Sequence, residues 1–324
     1  MAVINGVLGS IDSKELGFTL THDHIMAVDW TLRQSFAHWF DRDLFIKHAP
    51  KALIAAKKAG VNTIVDVTPI DLGRDINIIY EIEKKARMQV IAATGFYREM
   101  PWMSGKDENE IMRLLVEDIE KGIQGTDIKA SIIKCATHEP VISAMNKMLL
   151  SITAKAHLLT GAPISTHTQA IHKSGTLQQD VFEENGVNLN NVVIGHCGDS
   201  NDIKYLVSIL KRGSYVGMDR FGLLQFNSLE NRVANIKKLC DLGWENKILL
   251  SHDLVIFGDG GSSKWDPEKK VWFTEAFDSY GKLIDFTFIS EVVIPMLLEA
   301  GVTEKQIKTM TVDNPRLLFE ESFK

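Results

Sequence analysis

The sequence predicts an α/β protein, a single (β/α)8 TIM barrel with a binuclear metal site at its C-terminal mouth. Three observations favour this fold. Short apolar runs rich in Val and Ile alternate with longer amphipathic segments. Eight such runs occur, roughly 30 residues apart. Residues of metal-ligand type stand at the ends of five of them. Runs that are apolar throughout are typical of parallel strands covered on both faces.

The predicted strands are Phe18–Thr21, Val61–Val67, Val90–Thr94, Ala130–Lys134, Pro163–His167, Val192–His196, Tyr215–Met218 and Lys247–His252. The predicted helices between them are Ile46–Gly60, Arg74–Ala86, Glu108–Gly122, Ile142–Thr160, Leu177–Gly186, Asp202–Gly213 and Leu229–Gly243. Several helices end in glycine, a usual C-terminal signal. A doubly wound open sheet is the alternative. Its nucleotide-binding version would need a glycine-rich loop after the first strand, where this chain has histidines.

Composition narrows the function further. The chain has 324 residues, 45% of them hydrophobic, a net charge of −6 and no linker-like segment, so we expect residues 1–324 to form one domain. The charge disfavours nucleic acid and membrane surfaces as partners. No apolar stretch approaches the ~18 residues of a membrane span, and no signal-peptide pattern is seen, so a cytoplasmic protein is expected. Three cysteines without CxxC spacing form neither a disulfide framework nor a thiolate zinc site.

Two connections exceed the usual loop length, from His24 to Phe45 and from Leu254 to Leu283. Both carry aromatic residues, and in a barrel both lie at the C-terminal mouth. They are candidates for a substrate wall. A mobile rim with a few packed aromatic side chains is the alternative.

The candidate metal ligands stand at strand ends. His22 and His24 lie at i and i+2 on an extended segment, so both imidazoles project from the same face. Further residues of ligand type follow at the ends of strands four, five, six and eight: Lys134, His167, His196 and Asp253. Strand ends converge near the axis of a barrel, so these side chains are expected to form one site. Their number exceeds the three protein ligands of a mononuclear catalytic zinc, which favours two ions.

Lys134 ends a strongly apolar strand, where a buried ammonium group is costly unless it is paired or chemically altered. Addition of CO2 to the neutral amine would give a carbamate, an anion able to bridge two cations. A lysine that faces a carboxylate in the barrel mouth is the alternative. Histidine and carboxylate ligands without thiolate suit Zn²⁺, Mn²⁺, Co²⁺ or Fe²⁺.

Taken in order, the segment from Gly17 to His24, Lys134, His167, His196 and the segment from Ser251 to Asp253 resemble the binuclear pattern of the amidohydrolase superfamily, specifically the phosphotriesterase family. The resemblance runs from Leu16 to Phe319. Further motifs look closest to the phosphotriesterase-like lactonases, at positions 72–75, 95–97, 122–126 and 217–222.

The resemblance implies that His22, His24 and Asp253 hold the more buried metal ion. It implies that His167 and His196 hold the more exposed one. Lys134, as N6-carboxylysine formed with CO2, and a hydroxide would bridge the two ions. Zinc is the first candidate, with cobalt, manganese or iron as alternatives.

Tyr97 and Arg220 match a lactonase tyrosine and arginine near the metals, and Asp253 would act with them in catalysis. An ordinary packed aromatic side chain and a rim salt bridge are the alternative interpretations of Tyr97 and Arg220. His138, His172 and His252 are expected to be structural or to support the site, with His252 facing away by strand alternation.

The expected activity is metal-dependent hydrolysis of a lactone, with phosphotriester hydrolysis as a side activity. The lactone could be an acyl-homoserine, another aliphatic, a sugar or a sugar-phosphate lactone, because the chain after Asp253 lacks the cysteine and tryptophan of known acyl-homoserine lactonases. The alternatives are a phosphotriesterase as the main activity and a non-catalytic metal-binding scaffold. A small-molecule ester is therefore the expected partner. The resemblance also implies a homodimer, for which the aromatic first connection could serve as a contact.

Overall fold

The computed structural model describes residues 2–138, 140–259 and 283–322, together with the backbone of 264–266, 271–273 and 276–277. Its strands are β1 (Val3–Gly6), β2 (Gly9–Asp12), β3 (Thr19–Ala27), β4 (Thr63–Asp66), β5 (Gln89–Gly95), β6 (Ile132–Ala136), β7 (Ile164–His167), β8 (Val192–Ile194), β9 (Tyr215–Met218), β10 (Ile248–Leu250), β11 (Val255–Gly258), β12 (Lys264–Asp266), β13 (Val271–Phe273), β14 (Ala276–Phe277) and β15 (Leu283–Ile284).

Its α-helices are α1 (Trp30–Ser35), α2 (Arg42–His48), α3 (Pro50–Lys58), α4 (Ile76–Ala86), α5 (Glu108–Glu120), α6 (Ala144–Thr160), α7 (Ser174–Glu184), α8 (Ile203–Lys211), α9 (Leu229–Asp241), α10 (Ile294–Glu299), α11 (Glu304–Lys308) and α12 (Asn314–Ser322). Two π-helical turns, Ile289–Val293 and Thr309–Asp313, precede α10 and α12. In the part of the chain that the structure describes, none of these helices combines the length and the apolar character needed to cross a bilayer.

The sheet closes into a barrel. Strands β3 to β10 pair in chain order, and the pairs are parallel. β11 then returns to pair with β3, with Val255 opposite His24. β10 and β11 are two halves of the eighth strand, interrupted at residues 251–254. The predicted (β/α)8 barrel is therefore confirmed, with an eighth strand that is split rather than continuous.

Strand alternation separates two sets of buried residues. On β5, Val90 and Ala92 belong to the cluster that packs against the helices, whereas Ile91 and Ala93 belong to a second cluster inside the barrel. We call this second cluster the barrel floor: Ile4, Ile11, Leu16, Val65, Val67, Ile91, Ala93, Ile132 and Phe319. The β1–β2 hairpin and α12 contribute to it, so these terminal elements help to fill one end of the barrel and leave the other end for the site.

Several predicted boundaries are wrong in informative ways. The first predicted strand ended at Thr21, but β3 continues to Ala27 because it pairs with both β4 and β11. The predicted helix Ile46–Gly60 is divided into α2 and α3. Pro50 begins α3 at the position where a missing backbone N–H is harmless. The terminal elements β1, β2 and α10 to α12 were not predicted.

The long connections are described unequally. The first contains α1, whose N-terminus is capped by the side chain of Asp29, which accepts the Leu32 backbone N–H at 2.9 Å. The second contains β11, and residues 260–263 lie outside the described residues. The side chains of its aromatic residues Trp265, Trp272 and Phe273 are likewise outside them.

Candidate metal centre

All the predicted ligand side chains lie at one end of the barrel. β3 carries His22 and His24, and β6 carries Lys134. The remaining three stand at or just beyond strand ends: His167 ends β7, His196 follows β8, and Asp253 lies in the interruption of the eighth strand. Because strands of one barrel converge at this edge, six residues spread over 232 positions of sequence become neighbours.

Two of these residues have unusual backbone conformations. His196 has φ 61° and Asp253 has φ 57°, both in the left-handed region that residues with a Cβ rarely adopt. Such conformations cost of order 1–3 kcal/mol each and cluster at functional sites. Of the five non-glycine residues with positive φ in the described part of the chain, these two are candidate ligands, and the other three, Arg87, Gln124 and Lys173, are not.

The first group of ligand atoms contains His22, His24 and Asp253. Asp253 Oδ1 lies 3.3 Å from His24 Nε2 and 3.6 Å from His22 Nε2. The three ligand atoms all lie within 4.8 Å of one another, a spacing that could hold one metal ion. Lys134 Nζ lies 2.7 Å from His22 Nε2, on the border of this group.

The second group contains His167 and His196. His167 Nδ1 lies 2.8 Å from His196 Nε2. The other oxygen of Asp253, Oδ2, lies 3.9 Å from His196 Nε2. Asp253 thus directs one carboxylate oxygen toward each group, which is the position needed for a residue that acts between two ions.

The outer nitrogens of three of these rings have partners on the far side. His196 Nδ1 forms a hydrogen bond with Asp219 Oδ1 at 3.0 Å, whereas His22 Nδ1 lies 3.1 Å from Asp219 Oδ2 without the geometry of a hydrogen bond. His24 Nδ1 lies 2.9 Å from Thr68 Oγ1. Metal-binding histidines usually donate their second N–H in this way, which fixes the ring and directs the lone pair at the ion. His167 is the exception, because its Nδ1 faces the site.

Asp219 belongs to the motif at positions 217–222, and no role was predicted for it. It is 1% exposed, stands directly after β9 and also accepts the backbone N–H of His196 at 2.8 Å. A Cβ at position 217 would lie 2.3 Å from Asp219 Oδ2, so Gly217 leaves the space that the carboxylate occupies. Its position at the end of a predicted strand was the sequence signal that could have identified Asp219 as part of the site. Distance alone would also allow a metal between Asp219, His22 and His196, but its contacts with the outer nitrogens indicate an orienting role.

Burial sets the protonation of the histidines. It lowers the pKa of His22 and of His167, and it lowers the pKa of His196 to about 3. These imidazoles are therefore neutral at pH 7 and keep a lone pair for a metal ion. Burial would raise the pKa of Asp253, but His196, His24 and Arg220 outweigh that effect and hold it well below the ordinary value.

Lys134 is the least expected residue in this setting. It is 1% exposed, and burial lowers the pKa of its amine to about 8. Among the residues that the structure describes, no carboxylate lies within ion-pair distance of the amine, and its short contact is with His22. Asp253 and Asp219 act on the amine electrostatically from beyond that distance, and carboxylation of Lys134 stays a prediction. A lowered pKa supplies the neutral amine that reaction with CO2 requires.

Tyr97 and Arg220 line the cavity above these groups. The Tyr97 hydroxyl lies 3.4 Å from His167 Nδ1, and burial raises its pKa to about 12, so it remains a hydrogen-bond donor at neutral pH. Arg220 Nε donates to Asp253 Oδ2 at 2.9 Å, and its Nη1 donates to Asp199 at 2.8 Å. Tyr97 thus contacts a candidate ligand, and Arg220 forms ion pairs with Asp253 and Asp199, while a catalytic role for either residue stays a prediction.

The residues predicted to support the site divide. His138 Nε2 lies 3.2 Å from the Tyr97 carbonyl oxygen, and its ring packs against those of Tyr97 and His167. His172 is exposed. His252 faces away from the cavity and contacts Asp23. Sequence alternation predicted the orientation of His252, whereas the support that His138 gives to Tyr97 had no sequence signal.

The described residues enclose a cavity of about 280 Å3 over the site. Its floor consists of the candidate ligands, and its walls combine apolar and charged side chains, among them Leu72, Leu223, Leu254, Asp71, Arg98 and Asp259. A (β/α)8 barrel with neutral histidines, an ionised aspartate and a buried lysine beneath a small open cavity defines a hydrolase of the metal-dependent type.

Comparison with known proteins gives the family. The model of the phosphotriesterase family matches residues 2–319, and the chain belongs to this family. A phosphotriesterase homology protein of Mycobacterium tuberculosis is 40% identical, with 99% of this chain and 98% of that protein covered. An aryldialkylphosphatase of Saccharolobus solfataricus is 35% identical, over 96% and 97%. The solved structure of a Mycobacterium tuberculosis phosphotriesterase superposes with a TM-score of 0.88 at 37% identity, covering 98% of each chain.

Proposed function

We propose that the protein is a lactonase that uses two divalent cations, one held by His22, His24 and Asp253 and the other by His167 and His196. The observation that carries the proposal is the convergence of these ligand atoms in two groups around Asp253. Neutral imidazoles with their outer nitrogens already engaged fit Zn²⁺ and similar ions, with Co²⁺, Mn²⁺ and Fe²⁺ as alternatives.

Lys134 is proposed to be carboxylated on Nζ. In that reaction the neutral amine attacks CO2, a C–N bond forms, and one proton is released, which leaves a carbamate anion. The lowered pKa of Lys134 makes the neutral amine available near pH 8. Its position beside His22 places the new carboxylate next to the first group of ligands.

When bound, the two cations would supply Lewis acidity toward the ester carbonyl and would lower the pKa of bound water. The protein's residues do the rest. Asp253 is ionised and stands between both groups, so it can accept the proton of that water and deliver it to the leaving alkoxide. Arg220 holds Asp253 in place, and the Tyr97 hydroxyl is positioned to donate to the developing oxyanion.

A lactone is favoured as the substrate because Tyr97 and Arg220 occupy the positions that the lactonase-like motifs implied, next to His167 and Asp253. Phosphotriester hydrolysis is the second candidate, and the 35% identical aryldialkylphosphatase supports it. An N-acetyltaurine hydrolase of Danio rerio, 24% identical over 97% of this chain, makes an amide a useful third comparison.

The test is a substrate panel on protein reconstituted with two equivalents of Zn²⁺ or Co²⁺. The panel contains simple γ- and δ-lactones, acyl-homoserine lactones, sugar lactones with and without phosphate, an aryl dialkyl phosphate and N-acetyltaurine. We expect the highest kcat/KM on a lactone, with weaker phosphotriester hydrolysis. A phosphotriester or amide turned over better than every lactone would contradict the proposal.

The remaining expectations belong to the same proposal. Residues 1–324 would act as one domain, which the match of the family model to residues 2–319 supports. The enzyme would work as a homodimer in the cytoplasm on a small-molecule ester.

A further inference from the structure

Three fully buried polar side chains beside the metal groups take no part in the proposed chemistry. Asp23 lies between His22 and His24 on β3, and Ser251 and His252 directly precede Asp253. Each of the three is 0% exposed. Burial of polar groups is unfavourable unless their hydrogen bonds are made. Their contacts therefore indicate what they do.

Asp23 joins the first strand to the interruption of the eighth. Its Oδ2 accepts the Ser251 hydroxyl at 2.7 Å, and its Oδ1 accepts the Leu254 backbone N–H at 3.0 Å. The Ser251 oxygen in turn accepts the backbone N–H of His22 at 3.0 Å. Asp23 thus binds the residues on both sides of the 252–253 segment, while it faces away from the metal groups.

Backbone hydrogen bonds complete the same link. The Asp253 N–H donates to the His22 carbonyl at 3.1 Å, and the His24 N–H donates to the Leu254 carbonyl at 2.8 Å. Asp253 is held between them with φ 57°. A strained conformation persists only where its surroundings over-determine it. The hydrogen bonds of Asp23 and Ser251 help to hold the backbone of Asp253 in this conformation.

His252 extends the link to a third segment. Its Nε2 accepts the backbone N–H of Ile289 at 3.2 Å, so Nε2 carries a lone pair and the ring proton is on Nδ1. Nδ1 then donates to Asp23 Oδ2 at 3.3 Å. Phe286 packs against the same ring, with centroids 5.8 Å apart. Ile289 and Phe286 lie where the chain returns from the second long connection at the mouth.

We infer that Asp23, Ser251 and His252 form a strand clasp that positions Asp253 and couples it to the segment around Ile289. The inference rests on the proposed function in taking Asp253 as a ligand. These are positioning residues, because they act on the site through the backbone of residues 251–254. Through His252, the segment around Ile289 would influence the placement of the metal-binding aspartate.

The chemistry of the clasp predicts which substitutions break it. Asp23→Asn keeps the size of the side chain but replaces one acceptor oxygen with a donor amide. If the new amide N–H faces Ser251, the Ser251 hydroxyl can rotate so that its oxygen accepts that N–H. His252 cannot adapt, because a proton moved to Nε2 would meet the Ile289 N–H. His252→Asn retains a donor toward Asp23 but is too short to reach Ile289 as well.

The probe is Co²⁺, titrated into metal-free protein and followed by its visible absorption spectrum and by competition with a chelator. We expect wild type to bind two Co²⁺ per chain. Asp23→Asn and His252→Asn are expected to bind one of them ~10–100-fold more weakly with a changed spectrum, the usual loss when a partner of a metal ligand is removed. With a hydrolysed ester, their kcat should fall more than KM changes. Ser251→Ala removes only a hydroxyl and should show a smaller loss of Co²⁺ affinity. It tests the inference if Asp23→Asn or His252→Asn does not fold.

Matched controls are Ser214→Ala and His157→Asn, which remove buried hydrogen bonds to Gln179 and to the Ala162 carbonyl away from the site. They should lower Tm without weakening Co²⁺ binding. Clasp variants that bind both ions with wild-type affinity and spectrum would overturn the inference. Fewer than two Co²⁺ on wild type would contradict the proposed function instead. A crystal structure of Asp23→Asn then tests the clasp, because Asp253 should leave its contact with His24, and an unmoved Asp253 would overturn the inference.

Discussion

The barrel floor and the barrel mouth are formed by the same strands but carry opposite kinds of side chain. On β6 the two kinds of side chain are only two positions apart. Ile132 belongs to the floor, and Lys134, on the same inward face, belongs to the site. Burial of Ile132 stabilises the folded protein. Burial of Lys134 as an unmodified amine disfavours its charged form, as its lowered pKa shows.

The backbone differs in the same direction. None of the floor residues has a positive φ, while His196 and Asp253 at the mouth do. Favourable burial at one end compensates for strain and buried polar groups at the other. This division predicts that substitutions at the mouth change activity with little loss of stability, and that substitutions in the floor do the reverse.

The largest expected effect is that of Asp253→Asn. The amide keeps the size of the side chain but cannot accept the proton, so kcat should fall by ~10²–10⁴-fold on the best substrate. Steady-state kinetics measure the loss of activity, and thermal unfolding of the same metal-reconstituted sample measures any loss of stability. A variant with near-normal kcat would remove Asp253 from the proton transfer.

Asp219→Asn should have the next largest effect. One of the two histidines that contact Asp219 would lose its acceptor, since the amide offers one oxygen in place of two. We expect metal affinity or kcat to fall by ~10–100-fold. Chelator competition measures the affinity. Asp118→Asn, which removes a buried acceptor of Thr94 and Arg74 and leaves His22 and His196 untouched, serves as the comparison.

Ile132→Ala tests the other side of the comparison. Removal of this fully buried side chain should lower the free energy of unfolding by about 2–5 kcal/mol, because the floor cannot collapse completely around the cavity. Urea denaturation measures the loss. The kcat per folded molecule should stay within a factor of about 2, and a large fall in kcat would show that floor and mouth are not separable.

The pH dependence of stability should originate at the mouth. The pKa of His196 is about 3 in the folded protein and near 6.5 when unfolded, so between these values the unfolded chain binds a proton that the folded one does not. The metal-free protein should therefore lose stability as pH falls from 6.5 toward 3, by up to about 1.4 kcal/mol per pH unit from this residue. Urea titrations at several pH values check this, and His196→Asn should flatten the slope.

The barrel and the convergence of the ligand residues at one end of it could both be predicted from the sequence, for a simple physical reason. Hydrophobic period identifies strands, and strand ends converge in a closed parallel sheet whatever the loops do. The orientation of His167, which presents Nδ1 where three other histidines present Nε2, depends on side-chain rotation and has no signature in residue order.

Two further features escaped for related reasons. The interruption of the eighth strand contains Asp253 in a left-handed conformation, which aspartate adopts more often than most residues with a Cβ but which nothing in the surrounding sequence indicated. The roles of Asp219, Asp23 and His252 depend on contacts between strands far apart in the chain. Asp23 lies between His22 and His24 on an extended strand and therefore faces away from the ligands. That orientation allows Asp23 to hold the eighth strand.

The central claim is that Lys134 completes a two-metal site at the mouth. Metal analysis of wild type and of Lys134→Ala, each purified in the presence of Zn²⁺ and bicarbonate, tests it most directly. We expect two ions per chain in wild type, loss of at least one in the variant, and recovery on addition of a short carboxylate such as propionate. Two ions retained by Lys134→Ala without added carboxylate, or fewer than one in wild type, would contradict it.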